Sequence, residues 1–304
     1  MKKKNFYIGV ALLGVLVGLY LYAQQTKHPR LAAKQPIIVV SREAGSGTRG
    51  AFVDIVEVKD ANGDDNITVE ADVLNGTSGV MQVVAGNPNA IGYISYGSLN
   101  DSVKAIAVDG VAISPENVKS GDYTLARPFN VAWSKKELSP LADDFLNFIF
   151  SKEGQAMVED EGYISVGTRP SANQTYQDVS GQPLQPYQPT NLSGQLNVIG
   201  STSLTPVVEK LAERYMTYNP AVKISITSNG STAGLAAAID GTADLGMASR
   251  ELKAAEQEQL HSVAIALDGI VIIVHPESAY SELPLDTIRA IYSGEIFDWE
   301  SVKQ

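Results

Sequence analysis

Cysteine is absent from the 304 residues, which excludes disulfides, thiolate nucleophiles and cysteine–zinc sites. Histidine is scarce: His28, His261 and His275 lie far apart and show no metal-ligand spacing. With no histidine in a recognisable constellation, a nucleophilic serine would lack its base, so hydrolase chemistry is disfavoured and no enzyme activity is expected. Positive charge is also short. Lysine and arginine number 23 against 34 acidic residues, a net charge of −11, which argues against nucleic acid as a partner. Any bound anion must then be held by local dipoles and one or two cations against a repulsive overall field. Charged residues make up only 19% and hydrophobic ones 44%, enough to fill one large core or two lobes and too apolar for a disordered chain.

Long apolar runs are missing except at the start. Lys2, Lys3 and Lys4 precede an uncharged run of eighteen residues, Phe6 to Ala23. That length is near the lower limit for a spanning helix and exceeds most signal-peptide cores. Leu21-Tyr22-Ala23 is a poor cleavage site, and no cysteine follows to carry a lipid. The expectation is an uncleaved signal or membrane anchor over residues 1–25. Basic residues on its N-terminal side place the remainder on the extracytoplasmic face of the cell membrane; if the segment were cleaved, the remainder would be secreted.

What the chain does have is a set of small, hydroxyl-rich turns between strands and helices. Ile37 to Val40 read as a strand running into a turn with Arg42, Gly45, Ser46, Gly47 and Thr48, and the helical AFVDIV follows. Such a unit aims hydroxyls, unpaired amides, a helix dipole and a guanidinium at one point, a favourable place for an anion. The lysine and spacing of a nucleotide P-loop are missing. Three further turns repeat this chemistry: Gly200-Ser201-Thr202-Ser203, Asn229 to Gly234, and Met247-Ala248-Ser249-Arg250. Any one of them reads as an ordinary helix cap; four at strand-to-helix junctions predict a shared pocket.

Between these turns, strands alternate with helices. Strands are predicted at Ala90–Tyr96, Leu196–Ile199 and Val222–Thr227. Helices are predicted at Thr77–Ala85, Leu141–Phe150, Ser151–Val158, Pro206–Tyr215 with Thr205 as N-cap, and Leu285–Tyr292 closed by Gly294. The alternation indicates an α/β fold. Residues 173–194 hold five glutamines and three prolines without either hydrophobic period, and read as a semi-extended linker reaching about 70 Å at roughly 3.3 Å per residue.

The segments VSREAGSGTRGAF, AGNPNAIGYIS, VIGSTS-x-x-P, DGTADLGMASREL and ALDGIVIIV resemble the phosphate-binding proteins of the bacterial phosphate ABC transporter. The resemblance covers nearly all of 36–304 except the linker. It implies a two-lobed periplasmic-binding-protein-like fold (type II) that closes over phosphate and hands it to permease subunits. The order of segments departs from the family. Residues 36–172 match its C-terminal half and residues 195–304 its N-terminal half, which implies a circular permutation with residues 173–194 joining the old ends. The competing reading is one piece of a longer tandem array, or halves pairing between two chains. On the permuted reading one lobe spans about 36–126 plus 275–304 and the other about 128–172 plus 195–272. The crossings are then expected near Arg127–Asn130 and Ile270–Val274.

Carried over motif by motif, the resemblance implies ligand contacts from Arg42, Ser46, Gly47 and Thr48 on one lobe. On the other it implies Thr202, Ser203 and Ser231, with Ser249 where some members place an aspartate. Arg42 is the expected cation, with an ion pair to Glu43 as its alternative; Arg49 reads as a surface residue. Because a serine repels sulfate less than an aspartate does, selectivity is open; Asp268 or another carboxylate is a candidate substitute, with a structural role at a strand start as the alternative for Asp268. No cofactor or metal is expected. The same fold holding sulfate or molybdate, and a membrane-anchored phosphate sensor, remain alternatives.

Overall fold

The computed structural model describes residues 35–136, 138–170, 176–179 and 181–302. The expected anchor at residues 1–25 lies outside the described residues, and among those residues no helix is long and apolar enough to cross a membrane.

The chain runs β1 (Ile38–Arg42), α1 (Gly47–Val56), β2 (Asp72–Leu74), α2 (Gly76–Gly86), β3 (Ala90–Ser95), β4 (Lys104–Val108) and β5 (Ala126–Ser134). It continues through α3 (Pro140–Ile149), α4 (Lys152–Asp160), β6 (Gly194–Gly200), α5 (Thr205–Tyr218), β7 (Val222–Ser228) and α6 (Ser231–Asp240). Last come β8 (Leu245–Ala248), β9 (Leu260–Val274), β10 (Glu282–Leu283) and α7 (Leu285–Tyr292). Capping serines open several helices as the sequence predicts: Ser139 accepts from Ala142 N and Ser151 from Gly154 N. Helix α5 differs slightly, beginning at Thr205 itself, whose hydroxyl turns back to the Ser201 carbonyl instead of capping.

The α/β expectation holds, in two pseudo-equivalent lobes. Strand β1 lies parallel between β2 and β3, and β6 lies parallel between β7 and β8. Parallel strands need crossover helices, which α1, α2, α5 and α6 supply. The two triplets are joined through β9 and β5, which pair antiparallel, giving the order β2-β1-β3-β9-β5-β8-β6-β7. Strand β9 is a fifteen-residue, largely β-branched run suited to burial on both faces. Its residues 260–269 pair with β5, and residues 270–274 pair with β3. The crossings between lobes therefore fall at 125–127 and 268–270, a few residues before the stretches expected from sequence.

Each lobe has its own apolar core. In the first, Phe52 stacks on Tyr93 at 4.1 Å between centroids, with Tyr292 edge-on, among Ile91, Ile272 and Ile288. In the second, Phe145 and Phe148 pack on Tyr215, among Val198, Leu211 and Leu245.

The stretch read as a semi-extended linker is a strap docked on the second lobe where the structure describes it. Residues 176–179 form one helical turn with Val179 buried. Lys152 N donates to Gln185 O, and Tyr187 N donates to Glu153 Oε2. The hydroxyls of Tyr187, Thr190 and Tyr215 all donate to Asp144 Oδ2, at 2.7, 2.9 and 2.6 Å. A buried carboxylate needs such donors, and here the strap supplies two of the three.

Candidate functional site

The site begins with the turn after β1. Ser46 has extended backbone, and its hydroxyl accepts from Arg49 N, capping α1. This cap fixes the helix start, where first-turn amides have no intrahelical acceptor. Thr48, in that first turn, is buried and shares a hydrogen bond with Ser203 Oγ of the other lobe at 2.9 Å. Gly47 packs so closely on the other lobe that a Cβ there would overlap Ser231 Oγ and stand 2.6 Å from Ser249 Oγ. The backbone closes the same gap, with Thr232 N donating to Gly45 O at 3.1 Å.

Arg42 is 1% exposed. Its Nη2 donates to Thr202 Oγ1 across the cleft at 2.9 Å, and its Nη1 reaches Thr77 Oγ1 at 3.4 Å. The Nε–Nη2 edge of the guanidinium grips Glu43 with two bonds, Nε to Oε2 at 2.7 Å and the shared Nη2 to Oε1 at 2.8 Å. The ion pair with Glu43, one of the two sequence alternatives for Arg42, is formed, and the same guanidinium also reaches the other lobe through Thr202. Burial would raise the Glu43 carboxyl, but the hydrogen bond and charge of Arg42, with the Gly76 amide, hold it below the usual range. On the second lobe, Ser201 Oγ donates to Ser249 Oγ at 2.9 Å, and Ser249 N donates to Ser231 Oγ at 3.1 Å.

Of the eight residues singled out from the sequence, Arg42, Gly47, Thr48, Thr202, Ser203, Ser231 and Ser249 thus converge where the lobes meet. Ser46 serves that convergence as the cap of α1. The sequence reading missed Ser201, although it lies inside a turn already flagged. It also missed Thr77 and Thr232, each in the first turn of a helix after a Gly-containing turn. Arg49 behaves as expected of a rim residue, its Nε on Asp65 at 2.6 Å.

Asp268 does not approach this cluster as an acceptor, and its candidacy as the substitute for the missing aspartate is corrected here. It is fully buried, with Oδ2 taken by Arg127 Nε and Nη2 and Oδ1 by Ser95 Oγ and Tyr96 N. Burial pushes its carboxyl up, opposed by the Arg127 guanidinium. Arg127 in turn donates to the Ser249 carbonyl at 3.0 Å, so this pair braces the crossing strands. His261 packs on Trp133 and His275 accepts from Glu277 N, so neither serves as a base in the cluster. Among the described residues no group of acidic or histidine side chains could hold a metal ion. A separate cavity of about 580 Å³ flanks the crossing strands, lined by Ala51, Ile55, Arg127, Ile164 and Leu267 among others.

Two α/β lobes joined by crossing strands, with small hydroxyls and one guanidinium meeting between them, define a solute-binding protein of the periplasmic-binding type. The chain belongs to the PBP superfamily, whose domain matches residues 22–153 and 185–304. It is 44% identical over 289 residues, 94% of each chain, to phosphate-binding protein PstS 2 of Streptococcus pneumoniae TIGR4. It is 35% identical over 307 residues to PstS 2 of Streptococcus agalactiae 2603 V/R, covering 99% of this chain and 100% of that one. With phosphate-binding protein PstS of Bacillus subtilis the match is 34% over 134 residues, 43% of this chain and 42% of that protein. The solved phosphate-binding protein of a phosphate ABC transporter from S. pneumoniae TIGR4 superposes with a TM-score of 0.69, covering 88% of this chain and 100% of that one.

Proposed function

We propose that this protein captures inorganic phosphate between its lobes on the extracytoplasmic side of the membrane and delivers it to the permease subunits of an ABC transporter. The observation that carries the reading is the pair of cross-lobe contacts, Arg42 to Thr202 and Thr48 to Ser203. They put a buried guanidinium and the hydroxyls of the cluster at one point from both sides. Among oxyanions, the 94% collinear match to a phosphate-binding protein favours phosphate.

In this mechanism an open form admits the anion. Hinge closure then replaces its water shell with the hydroxyls of Thr48, Thr202, Ser203, Ser231 and Ser249, the Gly47 and Thr48 amides, and Arg42. The closed form is the one the permease reads. No bond is made or broken. The N-terminal apolar segment holds the domain at the membrane. The circularly permuted order is part of the same proposal. The reading is supported by the lengths of the matches: 134 residues, 42% of the protein, with B. subtilis PstS, against 94% of each chain with PstS 2 of S. pneumoniae.

Titration calorimetry of the purified protein with phosphate and sulfate tests the reading. Phosphate is expected to bind, sulfate far more weakly. Arg42→Ala is expected to lose about 1.5–3 kcal/mol, the worth of a hydrogen bond to a charged group. Equal affinity for sulfate, or undiminished phosphate binding by Arg42→Ala, overturns it.

A further inference from the structure

The cavity of about 580 Å³ beside the crossing strands contains none of the hydroxyls of the oxyanion cluster, yet both lobes build it. Ala51 and Ile55 of α1 and Val118 line it from the first lobe, Val166, Arg250 and Glu251 from the second, and Ile164 and Leu267 along the crossing. Its volume falls in the range of small-molecule sites, which combine apolar walls with a few polar groups that fix orientation. Most of the charged side chains lining it are already engaged. Arg127 holds Asp268 and the Ser249 carbonyl, Arg250 holds Glu256, and Asp54 pairs with Lys59 at 2.8 Å. With both guanidiniums neutralised, the cavity does not suit a second oxyanion. Lys119 and Glu251 remain. Both line the cavity at exposed positions, and neither side chain has an ion pair or hydrogen bond among the described residues. The surrounding protein pushes the Glu251 carboxyl up, with no donor or cation opposing the shift. Lys119 belongs to the first lobe and Glu251 to the second, so two unpaired charges of opposite sign border one apolar space from different lobes.

We propose that this cavity is a second ligand site, taking a zwitterion whose ammonium and carboxylate are held apart by an apolar body, as in an ω-amino acid or a short apolar peptide. Its ammonium meets Glu251, its carboxylate meets Lys119, and its body lies against Ile55, Val118, Ile164 and Leu267. A ligand with one charge alone satisfies one end and meets no partner at the other, which is the contrast that gives specificity. Because the occupant touches both lobes, it favours the arrangement in which Arg42 meets Thr202 and Thr48 meets Ser203 over one with the lobes swung apart. It then strengthens capture of the oxyanion, and the oxyanion strengthens its binding by the same factor. The site goes beyond the phosphate reading; the coupling rests on it.

Calorimetry and saturation-transfer NMR on the full chain test this with two probes, ε-aminocaproate and the dipeptide leucyl-leucine, against the singly charged caproate and hexylamine. At least one zwitterion is expected to bind, with caproate and hexylamine weaker by roughly fivefold, the upper worth of an exposed ion pair. Glu251→Gln and Lys119→Gln, both at exposed positions outside the oxyanion cluster, are each expected to weaken that zwitterion by the same factor. Neither should change the affinity for phosphate measured alone. Saturating zwitterion is expected to tighten phosphate binding by about fivefold or more, the low end of coupling between sites, in the unmutated chain and not in the variants. Failure of both zwitterions to bind at millimolar concentration overturns the site, and so does undiminished binding by both variants. Zwitterion binding that leaves phosphate affinity unchanged overturns the coupling. If the unmutated chain binds no phosphate, the phosphate reading falls, and direct titration with the zwitterions still decides the site.

Discussion

The residue that best separates ligand capture from folding is Gly47. It sits in the first turn of α1 with ordinary helical backbone, so alanine there suits the helix. The added methyl would meet Ser231 and Ser249 of the opposite lobe, and close-packed groups do not yield such space cheaply. Gly47→Ala is therefore expected to wedge the lobes apart. Calorimetry should show phosphate affinity reduced at least tenfold, while the ligand-free melting temperature stays within about 2 °C of the parent, roughly the shift a 1 kcal/mol change produces in a chain of this size. Loss of the fold would show instead that the contact is part of the core. At this scale the sequence was legible where chemistry is local. The turns holding Ser46, Thr48, Thr202 and Ser231 announce themselves by small residues at strand-to-helix junctions. The bond from Arg42 to Thr202 of the other lobe was not legible, because nothing local says which distant turn the guanidinium will meet.

Elements were legible in proportion to how much of their packing is their own. Helices α2, α3, α4 and α7 fall within a residue or two of expectation because each has a cap or glycine stop beside a periodic apolar face. Strand β9 was not read as one element. Its apolar run has no period, and its length comes from serving two lobes in succession. For the strap at 181–193 the docking was not legible, since its glutamines and prolines hide the Tyr187 that anchors it on Asp144. Where β5 and β9 cross, Arg127 and Asp268 form an ion pair of 1% and 0% side-chain exposure. That pair also ties Ser95 of the first lobe to the Ser249 carbonyl of the second. Removing one partner of a buried pair leaves an uncompensated charge and costs about 3–5 kcal/mol. Asp268→Ala is expected to lose that much in chemical denaturation. A loss below about 1 kcal/mol, the ordinary size of a point-mutant effect, would show that the crossing does not depend on the pair.

At the scale of the whole molecule, the order of the halves is tested by where the ends of the described chain meet. Pro36 bridges Asp298, Ile37 N donates to Phe297 O, Trp299 N donates to Gln35 O, and Gln35 N donates to the Glu300 carboxylate. Trp299 also reaches Asn89 through its indole nitrogen at 3.0 Å. Residues 35–37 and 297–300 thus run side by side. The strap, by contrast, leaves and re-enters the second lobe, where both α4 and β6 lie. If the permuted reading is right, the fold depends on these contacts and not on which peptide bonds close the ring. A chain re-ordered to begin near Gly194, with residue 302 joined to residue 35 by a short glycine-serine bridge and ended near residue 170, is expected to fold as a monomer. It should bind phosphate within a few-fold of the parent. Its stability should fall, because the strap residues Tyr187 and Thr190 and their bonds to Asp144 are deleted. Restoring residues 176–193 ahead of Gly194 should recover most of the loss. Should the re-ordered chain form only dimers, or fold without binding, the halves must pair between chains and the single-chain ring is wrong.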